Sequence, residues 1–276
     1  MVNTQYWLEL IKRYFRHGKF VLDLEPLDVD KRDLKLRGRP KSGTVDLSWD
    51  DQEVKYQGRV GSCASHTAMS LFEQQINKIN VNFLRDPVFK KGFSERYHYY
   101  FARKLNGGFP KFGGMTVRDM FKVMHKYGMA PDKLCPYKIA ELNDEPNFAA
   151  QQYGRNFWKI KDYFFIKDSD EVVTCLNSGR AVGIGLKVWN FKADKTTGYI
   201  PMPDLKRETY RGGHAVTLLG YDAMLDRFKG INSWGTWWGK KGYFYIDREY
   251  VDTHNVGIGS CNIDPKWIKT GGASNV

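Results

Sequence analysis

The hydrophobic pattern of the chain changes near residue 165, and this change constrains its fold more than any other feature. Before it, apolar residues recur at steps of three and four, the period of a helix with one buried face. This pattern predicts one helix from about Cys63 to Asn80 and another that follows Gly113 and Gly114 and ends at Gly128. Beyond residue 165, short β-prone runs separated by turn-forming residues predict strands at residues 181–188, 215–221, 227–232 and 242–246. The sequence therefore predicts an α+β fold in which a helical lobe precedes a β lobe.

The first 46 residues are predicted to form an extension ahead of the main body. Residues 5–17 place apolar side chains on one stripe and so predict a short amphipathic helix, with the stripe formed by Trp7, Leu10, Ile11, Tyr14 and Phe15. Residues 31–48 carry glycine and proline without a sustained period, which predicts an extended arm. Because the apolar stripe needs a partner surface, we expect the extension to pack on the main body of the protein or into a cleft within it.

Composition and charge narrow the class of protein. Hydrophobic residues make up 42% of the chain and aromatic residues 15%, with charges spread throughout, which indicates a folded globular protein. The net charge of +12 comes without a basic helix or a basic-aromatic motif, which favours a solvated surface over nucleic-acid binding. The start of the chain has frequent charges and predicts neither a signal peptide nor a membrane span. We therefore expect a cytoplasmic protein, with a virion or a host cytoplasm left open if a phage encodes it.

The cysteines are spaced in a way that does not indicate a metal site. Cys63, Cys135, Cys175 and Cys261 show no paired short spacing of the kind found in zinc sites and redox dithiols. The sequence therefore predicts no metal and no other cofactor, and a reducing setting is the default. Pairing of Cys175 with Cys261 in the β lobe stays open as an alternative to free thiols.

Cys63 is the candidate nucleophile because it begins a predicted helix. A helix N-terminus lowers the pKa of a thiol, and the preceding Gly61 and Ser62 fit a turn that would leave the sulfur at a surface. A cysteine nucleophile also needs a base, and His214 stands after two glycines at the start of an apolar strand. Asn232, at the end of another predicted strand, is the candidate for the group that orients the base.

Each of these residues also has a purely structural interpretation. Cys63 could be a small buried hydrophobe, Asn232 a strand-end cap, and Gln57, which precedes the nucleophile, an ordinary loop residue. His66, on the same predicted helix as Cys63, is a rival base on spacing alone. We favour His214 because a base must be held by a third group, and only His214 has a matching partner.

Three segments, QGRVGSC, GGHAVTLLGYD and INSWGTWWGKKGYFYI, resemble the signature blocks of the papain family of cysteine peptidases, in the order of that family. The resemblance implies that Gln57 and the backbone N–H of Cys63 bind the oxyanion. It also implies that His214 is the base and that Asn232 holds the imidazole ring under Trp234.

A fourth segment, GGMTVRDMFKVMHKYGMAPDKLCPY, resembles the family stretch whose paired glycines border the substrate cleft. That resemblance maps onto Gly113 and Gly114. The residues just before the histidine, Gly212 and Gly213, would line a specificity pocket. The substrate-binding residues implied in this way are Gly113, Gly114, Gly213 and Trp234.

The chain departs from the family pattern in three respects. Val60 and Phe112 stand where the family usually has two disulfide-bonded cysteines. The residues after the nucleophile are Ala64, Ser65 and His66, as in more distant bacterial-type members, in place of the usual Trp-Ala-Phe. The extension is also too short for the usual inhibitory prodomain, although it could restrain activity by lying over the cleft.

The resemblance implies a papain-like two-lobed fold, with a helical N-terminal lobe, an antiparallel β-barrel-like C-terminal lobe and the active-site cleft between them. The predicted divisions are the extension at residues 1–46, the lobe of the nucleophile at 47–165 and the lobe of the base at 166–276. The predicted function is a cysteine endopeptidase that cleaves protein or peptide substrates through a thioester. Two alternatives stay open: a non-turnover peptide-binding or virus- or phage-particle assembly component, and an acyl-transferring, ligase-type variant. The oligomeric state is not predicted.

Overall fold

The computed structural model describes residues 22–27, 30, 33–34, 36, 43–49, 52–79, 83 and 86–264. The amphipathic helix predicted for residues 5–17 lies outside these described residues. Within them, the helices are α1 (Cys63–Ile79), α2 (Glu95–Leu105), α3 (Val117–Lys126), α4 (Phe148–Asn156), α5 (Ser169–Asn177) and α6 (Arg248–His254). The strands are β1 (Val45–Asp46), β2 (Ile160–Phe165), β3 (Val182–Val188), β4 (Gly212–Asp222), β5 (Arg227–Ile231), β6 (Tyr243–Asp247) and β7 (Asn255–Ile263).

Helix α1 runs through the interior and is buried from Cys63 to Ile76. A helix buried on all sides must find hydrogen-bond partners for its polar side chains, and those of α1 do so on several neighbouring elements. Ser65 Oγ pairs with His98 Nδ1 of α2 at 2.9 Å, and Gln74 Oε1 accepts from the backbone of Ala181 at 3.2 Å. These contacts fix the position of α1, and therefore of the residue at its N-terminus, relative to both the helices and the sheet.

The strands form one antiparallel sheet in the order β2-β7-β3-β4-β5-β6, with β1 paired to β4. In β3 the apolar side chains alternate with glycines, so that Val182 and Ile184 face one apolar cluster while Gly183 and Gly185 face the other way. A Cβ at Gly183 would meet the Met120 methyl group at 3.0 Å. Glycine in this strand therefore lets α1 and α3 pack directly on the sheet.

The predictions for α1, α3 and strands β3 to β6 agree with the structure to within a few residues. The expectation that the second half consists of strands was wrong in detail, because α5 and α6 lie within it and β2 begins before residue 165. Strand β7 was also missed, since its sequence NVGIGSCNI has glycines where β-branched residues would signal a strand. Gly259 is needed because Phe121 of α3 packs against it, and Gly257 lies close to Leu27 and Val117.

Of the helices in the described part of the chain, none has the length and apolar content that a membrane span requires.

Candidate active site

Cys63 is the first residue of α1 and lies against the start of β4. Its sulfur accepts hydrogen bonds from backbone N–H groups, including those of Ala64 in the first turn of α1 and Ala215 in β4. The residue is only 1% exposed. Burial raises the pKa of the Cys63 thiol to about 11; the backbone N–H groups act to lower it and the nearby Asp23 carboxylate raises it further. The expectation of a surface sulfur with a lowered pKa was therefore wrong for this structure.

His214, in β4, is held by Asn232, which follows directly after β5. Its Nε2 lies 2.8 Å from Asn232 Oδ1, and Trp234 stacks on the imidazole with ring centroids 4.5 Å apart and an angle of 28° between the planes. His214 is fully buried and Asn232 nearly so. Burial lowers the pKa of His214 to about 4, although the Asn232 hydrogen bond acts to raise it. The imidazole is therefore neutral at pH 7 in this structure.

The hydrogen bonds around Asn232 decide which nitrogen of His214 carries the proton. Asn232 Oδ1 also accepts from the backbone N–H of Ser233 at 2.7 Å, and a backbone N–H can only donate, which orients the amide. His214 Nε2 must then be the donor, so the neutral ring has its lone pair on Nδ1. Nδ1 is buried and makes no hydrogen bond with any described residue, Cys63 included. This nitrogen is available to accept a proton.

Gln57 is fully buried, and both ends of its side chain are held. Its Nε2 donates to the Val60 carbonyl at 2.8 Å, and its Oε1 accepts from Ser233 Oγ at 2.7 Å. An amide nitrogen has two hydrogens, so this arrangement leaves one for a further acceptor. Because Ser233 follows Asn232 in the chain, one short segment positions both the orienting amide and Gln57.

Tyr137 is a contributor to the site that the sequence did not single out. Its hydroxyl lies 2.7 Å from Ser62 Oγ, beside the nucleophile, and donates to the Gln57 carbonyl at 3.0 Å. Tyr137 is the last residue of the fourth segment that resembles the family, so the resemblance already included it. Its position in the sequence gives no indication of a contact with Ser62 or Gln57. His66, the rival base, has Nδ1 at 2.9 Å from the Ser62 carbonyl and its ring edge-on to Tyr137.

A groove of 810 Å³ ends at Gly213, next to His214 in the chain, and brings together the glycines predicted to bind substrate. It is lined by Gly113 and Gly114, which precede α3, and by Gly212 and Gly213 at the start of β4. Residues 22–26 of the extension also line it. This part of the extension therefore lies beside the same glycines, whereas the apolar stripe from which packing of the extension was predicted lies outside the described residues.

The four cysteines are free and buried, so Cys175 and Cys261 are not paired. Val60 and Phe112, at the positions of the family disulfide, are buried apolar residues in one core cluster. The described residues contain no group of three or more His, Cys, Asp and Glu side chains arranged to hold a metal ion.

Comparison with known proteins places these features in a family. The sequence model of the papain family of cysteine proteases matches residues 106–267, more than half of the 276-residue chain. That match contains His214, Asn232 and Trp234, whereas Gln57 and Cys63 lie before it.

Two relatives match at the sequence level. A peptidase C1-like protein of Acanthamoeba polyphaga mimivirus, described as uncharacterized, is 27% identical over 212 residues, which are 72% of this chain and 66% of that protein. A cysteine protease of Blomia tropicalis is 26% identical over 207 residues, 71% of this chain and 57% of that protein. The chain therefore spans about two thirds or less of the length of these relatives.

Among solved structures, xylellain, a cysteine protease from Xylella fastidiosa, superimposes with a TM-score of 0.78 and 29% identity. The similarity covers 90% of this chain and 97% of xylellain. The likeness therefore extends over nearly the whole of both molecules.

Proposed function

Because this chain belongs to the papain family of cysteine proteases, we propose that it is an endopeptidase whose nucleophile is Cys63. The observation that carries the proposal is the state of His214. Its Nε2 is committed to Asn232, and its Nδ1 is an unengaged acceptor one residue from the Ala215 N–H that contacts the sulfur. A base that a third group holds in one tautomer, with its other nitrogen able to accept a proton, is what nucleophilic catalysis by cysteine requires.

In the first half of the reaction, His214 Nδ1 takes the proton of the Cys63 thiol as the sulfur attacks the carbonyl carbon of the substrate. The carbonyl oxygen becomes an oxyanion that accepts hydrogen bonds from the second hydrogen of Gln57 Nε2 and from the backbone N–H of Cys63. The imidazolium then gives its proton to the leaving amine, the peptide C–N bond breaks and a thioester remains on Cys63.

In the second half, neutral His214 removes a proton from water, which attacks the thioester carbonyl. The sulfur leaves as the carboxylic acid product forms, and the proton returns from the imidazolium to the sulfur. Asn232 keeps the ring in one orientation through both halves, and Trp234 shields their hydrogen bond from water.

Substrate would lie in the groove and pair its backbone with Gly113, Gly114 and Gly213, where small residues allow a close approach. In this proposal, the helical division at residues 47–165 supplies Cys63 and Gln57. The division at residues 166–276 supplies the base and its partner.

The direct test compares the wild type with Cys63→Ala on a denatured protein substrate such as casein, after reduction of the enzyme. We expect wild type to cleave and Cys63→Ala to lose cleavage altogether, because no other group replaces the sulfur. Cys135→Ala is the matched control, since Cys135 is another free, buried cysteine and we expect its variant to retain activity. Equal cleavage by wild type and Cys63→Ala would contradict the proposal.

Product analysis separates the proposal from its alternatives. Mass spectrometry of the fragments should show new carboxyl termini formed by water. Fragments joined to an added amine would instead indicate the acyl-transferring variant. Binding of casein-derived peptides without any cleavage or covalent adduct at Cys63 would indicate a peptide-docking protein.

A further inference from the structure

A second pocket, separate from the groove, lies in the helical part of the chain and has a volume of 430 Å³. Its walls include residues 53–56, His66 of α1, Glu95 of α2 and residues 132 and 136–138. We propose that this pocket binds an organic cation, an alkylguanidinium or an alkylammonium group, against His66. Binding there does not depend on the proposed function, whereas any effect of the bound cation on catalysis rests on it.

His66 is a buried side chain that faces this pocket through an unpartnered nitrogen. It is 2% exposed, and its Nδ1 lies 2.9 Å from the Ser62 carbonyl. Burial lowers the pKa of His66, so the ring is neutral at pH 7. Because a carbonyl only accepts, Nδ1 carries the proton and Nε2 carries a lone pair. Nε2 makes no hydrogen bond with any described residue, so the pocket holds an unused acceptor for a group that donates.

This acceptor is a departure of the chain from its family. His66 is the third residue after the nucleophile, where the papain family usually has phenylalanine. A phenylalanine would give the pocket an apolar wall without a hydrogen-bonding atom. The histidine therefore adds a polar group to the pocket that the family fold does not require.

Two carboxyl groups add further acceptors to the pocket. Glu95 is buried and pairs with Lys55 at 2.9 Å, whereas Asp132 forms no ion pair with a described residue. Asp132 Oδ1 accepts from the backbone N–H of Tyr137 at 3.2 Å, which orients the group. Burial raises the pKa of Asp132, and the negative charge of Glu95 raises it further. A cation in the pocket would stabilise both carboxylates.

The lysines that line the pocket do not already supply this cation. Lys55 is buried and shared between two carboxylates, with Nζ 3.2 Å from Glu73 Oε1. Lys138 is 60% exposed and pairs with Glu141 at 3.0 Å. Lys91 is exposed. Among the described residues, the pocket therefore offers an anion no buried ammonium group that is free, which favours a cation as its ligand.

Two tyrosines make the pocket more suitable for an organic cation than for a metal ion. Tyr56 and Tyr137 both line it, and the Tyr137 ring stands edge-on to His66 with centroids 4.8 Å apart. Aromatic faces attract ammonium and guanidinium groups, and they also pack against alkyl chains. No three His, Cys, Asp or Glu side chains in the described part of the chain are arranged to hold a metal ion.

The pocket is connected to the catalytic centre through Tyr137. The hydroxyl of this residue lies 2.7 Å from Ser62 Oγ and donates to the Gln57 carbonyl at 3.0 Å. A cation bound against His66 and the Tyr137 ring would contact the residue that positions Gln57. We therefore expect occupancy of the pocket to change kcat for casein more than KM.

The test titrates the full-length wild type with butylguanidinium, butylammonium and butylurea, the last being a neutral molecule of nearly the same shape as the first. We expect both cations to bind with a Kd of about 1 mM or lower and to shift the ¹⁵N NMR signal of His66 Nε2. Butylurea should bind at least about tenfold more weakly, because it lacks the charge. Acetyl-arginine amide in the same titration tests whether a protein side chain can supply the cation. Its binding would identify that source, and binding of the alkyl cations alone would identify a free small molecule.

Two variants place the ligand in the pocket. His66→Phe installs the usual family residue, and Asp132→Asn keeps the oxygen that accepts from the Tyr137 N–H. Calorimetry should show that each variant binds butylguanidinium about tenfold more weakly or worse. His125→Phe and Asp144→Asn are the matched controls, because both residues are exposed and lie outside the pocket. Their Kd should stay within about twofold of the wild type, and thermal unfolding verifies that every variant is folded.

The outcomes separate this inference from the proposed function. Absence of a His66 shift with either cation, or equal binding of butylurea, would overturn the inference whatever the casein result. Undiminished binding in both pocket variants would overturn it too, because the cation would then lie elsewhere. Binding that changes kcat supports both the site and its connection to Gln57, and binding with an unchanged kcat supports the site alone. A wild type that binds the cation but does not cleave casein would support the site and contradict the proposed function.

Discussion

Cys63 and His214 are both neutral at pH 7 in this structure, and the reason lies in their surroundings rather than in their identity. Burial is the largest cause of the raised thiol pKa and of the lowered imidazole pKa. A thiolate beside an imidazolium needs solvent or fixed dipoles to stabilise both charges. The N–H groups of Ala64 and Ala215 supply part of this stabilisation at the sulfur, but they are outweighed by burial.

The pH dependence of Cys63 alkylation should show whether burial or the backbone N–H groups dominate the pKa of the thiol. With a thiol pKa of about 11 in the folded protein, roughly one molecule in ten thousand carries a thiolate at pH 7. The rate of Cys63 alkylation by iodoacetamide in the wild type, followed by mass spectrometry, should therefore keep rising with pH up to about 11. A wild-type profile that levels off near pH 8.5, the ordinary range for a free cysteine, would contradict this prediction.

Tyr137 should act as a positioning residue for Gln57. Tyr137→Phe removes a hydroxyl that lies between Ser62 Oγ and the Gln57 carbonyl. We expect kcat to fall by about fivefold with KM unchanged, since a hydrogen bond of this kind contributes about 1 kcal/mol and the oxyanion forms only during the reaction.

The control for this variant is Tyr97→Phe. Tyr97 also donates to a backbone carbonyl, that of Tyr127 at 3.0 Å, but the contact does not involve the catalytic residues. Its removal should lower stability by a similar amount and leave kcat unaltered. Equal loss of kcat in both variants would show that Tyr137 has only a general structural role.

At the scale of single elements, α1 is unusual because it carries charge into the interior. Lys55 Nζ lies 2.9 Å from Glu95 Oε1 of α2 and 3.2 Å from Glu73 Oε1 of α1, and all three side chains are buried. Burial raises the pKa of Glu73 to about 7, with Lys55 acting to lower it. The cluster joins the segment before Gln57 to two helices, so it helps to fix α1 relative to α2 and to that segment.

Lys55→Met should destabilise the protein strongly. The substitution leaves two buried carboxyl groups without their cation, and loss of one partner of a buried ion pair typically costs about 3–5 kcal/mol. Urea unfolding measures the effect. Lys138→Met is the control, because the Lys138–Glu141 pair is largely exposed at the lysine and its loss should cost less than about 1 kcal/mol. Equal effects of the two variants would show that the buried cluster contributes nothing special.

At the scale of the whole molecule, a pair of glycines on neighbouring strands allows the helices to pack closely on the sheet. Gly183 of β3 lies opposite Gly259 of β7, and both face α3. A Cβ at Gly259 would meet the Phe121 ring at 2.7 Å and the Phe164 carbonyl at 2.9 Å. The sheet therefore presents no side chain to α3 at these two positions, which lets the helix pack directly on its backbone.

Gly259→Ala should lower the free energy of unfolding by about 1–3 kcal/mol, because the added methyl group forces the Phe121 ring or the strand to shift. The comparison is Gly113→Ala, where a Cβ would meet nothing within 4 Å, measured for stability alone. A Gly259→Ala protein as stable as wild type would mean that the two layers adjust without strain.

The sequence by itself determined features that depend on neighbours along the chain. The periodicity of residues 63–79 and 117–126 marked two helices because a buried face repeats every three or four residues. The ordered segments around Cys63, His214 and Asn232 indicated the family and the two-lobed fold, which the comparisons confirm.

Only the tertiary structure decided the features that depend on residues far apart in the chain. Cys63 is buried although it begins a helix, and the contact of Tyr137 with Gln57 joins residues separated by 80 positions. Gly259 of β7 is a glycine because Phe121 packs on it, which no local pattern can indicate. Burial, protonation state and access to the cleft are set by what folding places around a residue. The sequence could therefore name the candidate catalytic groups but not the covered, uncharged state in which they are held.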